Sequence, residues 1–230
     1  MQLPLAIQLN ESANFGNYIS PDDHFLIDSL KQLIVSSEFS VIYLWGGIGS
    51  GKTHLLQAVC HQASQINETV CYLPMAELIQ QPPVMLDGLE NISVICIDDL
   101  QSISGHADWQ QAVFHLFNSV QAVGGRIVFS GNASPREMGL SLQDLISRLE
   151  WGPVFHIQVL GDDQKIAALK LRAMQRGLEL ETEPARFLLN RFPRDLNALF
   201  EVLDKLDRES LIKQRRLTIP FIREIFPEQS

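Results

Sequence analysis

Residues 1–125 contain no arginine. Residues 1–160 carry 5 Lys/Arg against 15 Asp/Glu, a net −10, and residues 161–230 carry 13 against 12, a net +1. Long-range attraction to nucleic-acid phosphates is therefore not expected from the larger part. Any link to DNA is expected to run through a protein partner. Cysteine is scarce as well. Cys60, Cys71 and Cys96 are odd in number and far apart, and the last two lie in apolar, strand-like runs. That pattern excludes a disulfide frame or a thiolate metal site and reads as reduced core residues of a cytoplasmic protein. No apolar run approaches the ~20 residues of a membrane helix, and the N-terminus lacks the basic start and apolar stretch of a signal peptide. Internal repeats and low-complexity tracts are missing too.

The chain is 46% hydrophobic and 20% charged, the balance of an ordinary globular protein. Its 230 residues suit one large domain with a small one. Short β-branched and aromatic runs at 41–45, 70–73, 94–97, 126–129 and 154–160 predict strands. Segments with helical period at 21–35, 53–64, 108–123 and 142–149 separate them. Strands alternating with helices predict an α/β fold, a five-stranded parallel sheet covered on both faces. After Gly161 the pattern changes. Residues 162–176, 183–192, 195–213 and 218–226 all have helical period, with Asp162, Thr182 and Thr218 as expected N-caps and Pro184 and Pro220 in first turns. The chain thus divides into a tail (1–14), an α/β domain (15–160) and a small all-helical domain (161–230).

The sharpest motif is Gly46-Gly47-Ile48-Gly49-Ser50-Gly51-Lys52-Thr53, between an apolar strand and a helix. This is the spacing and context of a phosphate-binding loop. Glycines let backbone N–H groups turn inward around an anion, and the following helix points its positive end at it. Gly47, Gly49, Ser50, Gly51 and His54 would line a bound ADP or ATP. Lys52 would reach its terminal phosphates, and the Thr53 hydroxyl would ligate Mg²⁺. A glycine turn that merely matches the pattern is the alternative. The third strand ends in Asp98-Asp99, where Asp98 would hold Mg²⁺ through water and Asp99 would orient the attacking water. Alone, such a pair is as readily a solvated strand end. Asn132 closes the next strand and could sense the γ-phosphate, or simply serve the turn Gly-Asn-Ala-Ser-Pro. Arg148 could act on a neighbouring subunit's γ-phosphate, or pair with Asp144 at i+4 spacing. Arg194, at the start of a helix of the second domain, could contact the nucleotide or be surface charge.

The order phosphate loop, Asp-Asp, Asn, Arg, then a helical module with Arg resembles an AAA+ ATPase. It narrows to the DnaA-related AAA+ family and its short, Hda-type regulatory-inactivator branch. The likeness rests on Gly49-Ser-Gly-Lys-Thr-His-Leu-Leu56, Cys96-Ile-Asp-Asp-Leu100, Leu145-Ile-Ser-Arg-Leu-Glu-Trp-Gly152 and Arg216-Leu-Thr-Ile-Pro-Phe221, and covers nearly the whole chain. Asn14-Phe-Gly-Asn-Tyr18 looks like the segment entering the adenine pocket, which implies Tyr18 and Ile19 as nucleotide contacts. The resemblance implies an AAA+ P-loop NTPase base followed by a helical lid, with Arg148 as an arginine finger acting in trans. It also implies that Gln2, Leu3, Leu5 and Ile7 form a peptide for the β sliding clamp of DNA polymerase III. DnaA is the implied partner, and DNA is reached indirectly through the clamp. The implied location is cytoplasmic and nucleoid-associated, with no membrane contact, and a homo-oligomer is allowed. The implied activity is stimulated hydrolysis of DnaA-bound ATP, which prevents re-initiation. Asp99 stands where many AAA+ ATPases have Glu, which implies weak intrinsic hydrolysis. The chain stops at Ser230, where DnaA continues into a helix-turn-helix domain. Two rivals are weighed: a DnaC-type helicase loader, which needs more than a 14-residue tail, and a self-sufficient P-loop ATPase or nucleotide kinase, which needs arginines that residues 1–125 lack.

Overall fold

A computed structural model describes residues 13–18 and 24–227. The clamp-type peptide (Gln2, Leu3, Leu5, Ile7), Ile19 and the expected helix start at Pro21 lie outside the described residues. These residues fall into two compact units divided between Val159 and Leu160.

The first unit is built on five strands: β1 (Ser40–Trp45), β2 (Val70–Pro74), β3 (Val94–Asp98), β4 (Arg126–Gly131) and β5 (Val154–His156). They pair in parallel in the order β2-β3-β4-β1-β5. Helices α1 (His24–Val35), α2 (Lys52–Gln65), α3 (Met75–Leu78), α4 (Ala107–Ala122) and α5 (Gln143–Leu149) connect and cover them. The central strands β1, β3 and β4 are buried on both faces, which is why they read as continuous runs, whereas β2 is part-buried and the edge strand β5 is largely exposed. Alternate residues feed different cores. Val41, Tyr43, Ile95, Ile97, Ile127 and Phe129 pack with α4 and α5. Ile42, Leu44, Val94, Cys96 and Val128 pack with α1 and α2. Cys60 and Cys96 are buried free thiols, and burial pushes the Cys71 thiol up to about 11, as expected of inert core residues.

The predicted five-stranded parallel sheet is observed, with one strand shorter than expected. β5 ends at His156 rather than Leu160, because its one neighbour, β1, ends at Trp45 where the glycine loop departs. Ile157 N–H still bonds the Trp45 carbonyl at 2.7 Å, and the ladder stops there.

The second unit comprises α6 (Asp162–Gln175), α7 (Thr182–Arg191), α8 (Leu196–Lys213) and α9 (Ile219–Ile225). It has its own core, including Leu169, Leu188, Leu199, Leu203 and Phe221. Two of the three expected caps are displaced. Asp162 lies inside the first turn, where its charge suits the helix dipole. Gly161 is the cap residue instead, its N–H bonded to the Gln164 amide oxygen at 2.8 Å. Thr182 is the first helical residue after Glu181, and its hydroxyl faces the Lys170 ammonium at 3.1 Å. Thr218 does cap α9, accepting the Phe221 N–H at 3.4 Å, and Asp195 caps α8 at 3.0 Å to Ala198 N–H. Among the described residues no helix is long and apolar enough to cross a membrane.

Candidate nucleotide-binding site

β1 delivers the chain to the glycine loop at Trp45, and α2 begins at Lys52. The loop lies at the carboxyl ends of the strands, where open parallel sheets bind ligands. Gly51 is left-handed, with φ 97°, and a Cβ there would stand 2.9 Å from the Tyr18 ring. Only glycine serves both the backbone and the close approach. Ser50 and Lys52 are buried, Gly47 and Thr53 are exposed, and Gly49 and His54 are half-buried. The Lys52 ammonium turns back into the loop, 2.8 Å from the Gly46 carbonyl and 2.9 Å from that of Gly47. Burial lowers its pKa, while Asp99 and Asp98 pull it back up. A buried cation held by carbonyls at the mouth of a helix suits a phosphate chain.

The segment 13–18 docks beside this loop. Asn14 and Asn17 side chains each accept the other's backbone N–H, at 3.1 and 3.2 Å. The His54 ring nitrogen Nε2 lies 3.0 Å from the Asn14 carbonyl, and the Tyr18 and His54 rings are 5.9 Å apart. Tyr18 and His54 are therefore together at the loop, as the resemblance implies for a base-binding edge.

Asp98 ends β3 and is 1% exposed. Its Oδ2 accepts the Tyr72 hydroxyl at 2.6 Å, and its Oδ1 accepts the Asp99 N–H at 3.1 Å together with the Ser130 hydroxyl. A carboxylate offers about four lone-pair sites. Three are taken, which leaves one acceptor site, on Oδ2, for a metal ion or a metal-bound water. Burial raises the Tyr72 pKa, with Asp98 adding to it, so the phenol stays a donor. Thr53, exposed at the start of α2, fits the hydroxyl ligand of Mg²⁺. Among the described residues no group of three His, Cys, Asp or Glu side chains is placed to hold a metal by itself.

Asp99 is left-handed, with φ 54°, and its N–H also reaches Ser130 Oγ at 3.0 Å. Gln101 bridges two of the candidate residues. Its amide nitrogen donates to Asp99 Oδ1 at 3.0 Å, and its amide oxygen accepts the Asn132 N–H at 3.1 Å. Asn132 itself is exposed at the end of β4. Tyr72, Ser130 and Gln101 carry little sequence signal of their own, since Asp98 lies 26 and 32 residues from Tyr72 and Ser130, and Asn132 lies 31 from Gln101. The one local clue was position: Ser130 and Gln101 flank Asn132 and Asp99.

Arg148 sits near the end of α5. Its guanidinium carbon lies 4.8 Å from the Trp151 ring centroid and 5.7 Å from that of Phe117 on α4. The i+4 pair with Asp144 is not formed, and among the described residues Arg148 makes no ion pair. Arg194 pairs instead with Asp162 in the second unit, Nη1 lying 3.1 and 3.2 Å from its two oxygens. That pair is exposed and adds little stability.

Buried Gln110 on α4 fixes the start of α5. Its amide donates to the Ile103 carbonyl at 3.1 Å and accepts from the Ser141 N–H, the Ser141 hydroxyl and the Leu142 N–H at 2.9–3.0 Å. α5 has no side-chain cap of its own. Gln110→Met would orphan these groups, at about 1–3 kcal/mol for each left without water. Urea unfolding should report a loss of about 2–4 kcal/mol. A loss under ~0.5 kcal/mol would mean that solvent replaces the amide.

Residues 9–156 match the bacterial DnaA ATPase domain family, and residues 162–226 match the Hda lid domain family. Among solved structures the chain is similar to domain III of the Thermotoga maritima replication initiation protein DnaA, at 20% identity and a TM-score of 0.80, covering 95% of this chain and 97% of that one. It is similar to AMPPCP-bound DnaA from Aquifex aeolicus at 23% identity and TM-score 0.70, covering 90% of this chain and 69% of that one. A replication initiator DnaA bound to AMPPCP and single-stranded DNA matches at 24% identity, TM-score 0.70, with the same coverage. These likenesses show a common AAA+ fold.

Proposed function

The chain belongs to the bacterial DnaA ATPase domain family, and from that membership and its Hda-type lid we propose that it is a regulatory inactivator of DnaA. The pairing of those two matches in one chain is the observation that carries the reading. It binds ADP or ATP with Mg²⁺ at residues 46–54, with Tyr18 and Ile19 at the base. AMPPCP in two DnaA proteins of the same fold supports a nucleotide there, as does the loop geometry around Lys52. Asp98 holds a metal-bound water, Asp99 orients the attacking water, Asn132 senses the γ-phosphate, and Arg194 is a nucleotide contact carried by the resemblance.

The protein docks on the DNA-loaded β clamp through Gln2, Leu3, Leu5 and Ile7, in the cytoplasm at the nucleoid. There it meets ATP-bound DnaA and offers Arg148 to the partner's nucleotide. Hydrolysis on DnaA follows, and a second initiation is prevented. The net −10 of residues 1–160 supports a route to DNA through the clamp instead of direct contact.

Gln2→Ala combined with Leu3→Ala should abolish capture of this chain by clamp loaded on DNA and abolish stimulated ATP turnover on DnaA. The melting temperature should stay within about 2 °C, a shift of at most about 0.5–1 kcal/mol for a chain of this size. Wild-type clamp binding by the double variant would overturn the docking step. A large fall in melting temperature would instead mean that the tail packs on its own domain.

A further inference from the structure

The neighbourhood of Arg148 is unusual in what it does not use. A surface arginine near carboxylates ordinarily pairs with one. Here Asp144 lies one helical turn away with no pair formed, and the other nearby acid, Glu150, is taken by Arg136 at 2.8 and 3.0 Å. Arg148 lies instead against two aromatic rings, Trp151 at 4.8 Å and Phe117 at 5.7 Å. An aromatic ring attracts the planar face of a guanidinium, whereas a carboxylate takes its N–H edge. Among the described residues no side-chain hydrogen bond of Arg148 is formed, so its donors remain available for a planar, two-point grip on an incoming anion.

The rings are themselves fixed. Phe117 is fully buried on α4. Trp151 is 58% exposed, but its backbone is held at both sides. Its N–H bonds the Arg148 carbonyl at 3.2 Å, and a Cβ on the next residue, Gly152, would lie 1.9 Å from the Val41 carbonyl oxygen of β1. The turn after α5 therefore sits directly on the central sheet. An exposed tryptophan contributes little to the core, so its place 4.8 Å from the Arg148 guanidinium carbon invites another explanation.

We infer that Trp151 is a positioning residue for Arg148: with Phe117 it holds the guanidinium by its face, in advance of binding, so that the N–H edge meets the phosphate chain of a nucleotide carried by a second ATPase. This rests on the proposed action on DnaA-bound ATP. Trp151 acts through Arg148 and touches no phosphate itself. Ordering the cation beforehand removes rotamer entropy that would otherwise be lost at the transition state.

The test uses the full chain, clamp-loaded DNA and ATP-bound DnaA, with Trp151→Leu, Trp151→Phe and Arg148→Ala measured together. Maximal ATP turnover at saturating concentration should fall about tenfold in Trp151→Leu, the equivalent of ~1.4 kcal/mol. The concentration giving half-maximal stimulation should change less than maximal turnover does. Trp151→Phe should recover most of the loss. The Hε resonance of Arg148, shifted upfield by the indole ring current in the wild type, should return toward its free position in Trp151→Leu.

A rise in the half-maximal concentration with unchanged maximal turnover would make Trp151 a docking contact and overturn the inference. So would wild-type turnover in Trp151→Leu while Arg148→Ala is inactive. An unshifted Hε in the wild type would overturn the stack itself. If Arg148→Ala stimulates fully, the function reading fails and takes the inference with it, which the first two outcomes leave standing.

Discussion

Lys52→Ala should abolish binding of ADP and ATP without unfolding the protein. Lys52 is 8% exposed, and its ammonium bonds oxygen atoms: the Gly46 and Gly47 carbonyls at 2.8 and 2.9 Å, and Ser50 Oγ at 3.5 Å. It is the one cation of the glycine loop. In the free protein its charge is disfavoured by burial, as its lowered pKa indicates. Removing it therefore relieves a desolvated charge, and the melting temperature should hold or rise slightly. With nucleotide present the balance reverses. Each charge-assisted hydrogen bond to a phosphate oxygen is worth about 1.5–3 kcal/mol. Two such bonds correspond to a loss of affinity on the order of 10²–10⁴. Titration calorimetry with ADP, beside a thermal melt with and without ADP, reads both halves. Wild-type affinity in the variant would overturn the phosphate-loop assignment. A collapse of the melt without ligand would mean that the lysine's bonds to Gly46 and Gly47 hold the fold.

The fold was legible where the signal is local. Val41–Leu44 reads as a strand because both faces are buried, and its alternate side chains do feed two different cores. The glycine loop reads from its spacing and its place between an apolar strand and a helix, since backbone conformation and anion binding demand those residue types in that order. The break at Gly161 reads from the loss of strand-like runs. Helix starts were less legible. Asp162 and Thr182 are both good cap formers, yet each sits one residue inside its helix, because a cap is set by where the backbone turns. β5 was overextended because apolar content continues to Leu160 while its hydrogen-bonding partner ends at Trp45. The supporting side chains were not legible at all. Gln101, Gln110, Ser130 and Tyr72 act on partners about 30 residues away or through the sheet, and an isolated Gln or Ser carries no sequence signal for that. Arg148 shows the same limit from the other side. Helical spacing offers Asp144 as its alternative partner, while the rings beside it come from a different helix and a turn.

Arg148→Ala should keep nucleotide binding, clamp binding and the fold, and lose stimulation of DnaA. The side chain is half-buried and makes no ion pair among the described residues, so its removal costs the fold only the aromatic contacts, about 0.5–2 kcal/mol. Where an arginine finger has been dissected in GTPases it is worth about 10³–10⁵ in rate, because it neutralises charge that develops on the transferred phosphoryl group. The expected loss is of that order in turnover on DnaA, against almost none in melting temperature. Arg148→Lys should recover little. An ammonium keeps the charge but has neither a planar face to set against the Trp151 and Phe117 rings nor the two-pronged N–H edge that matches phosphate. The assay is ATP turnover on DnaA with clamp-loaded DNA present, this chain supplied in excess so that reduced docking does not mimic a chemical defect. Full stimulation by Arg148→Ala would leave the arginine as a surface cation near the end of α5, and the donor to the partner's nucleotide would have to be sought elsewhere on the first unit. Residues 1–125 offer no second arginine for that role, and Arg126 is committed to the Ile34, Ser36 and Ser93 carbonyls and to Glu68 at 2.8 Å. Arg136, paired with Glu150 and exposed, would then be the remaining candidate, so Arg136→Ala belongs in the same experiment.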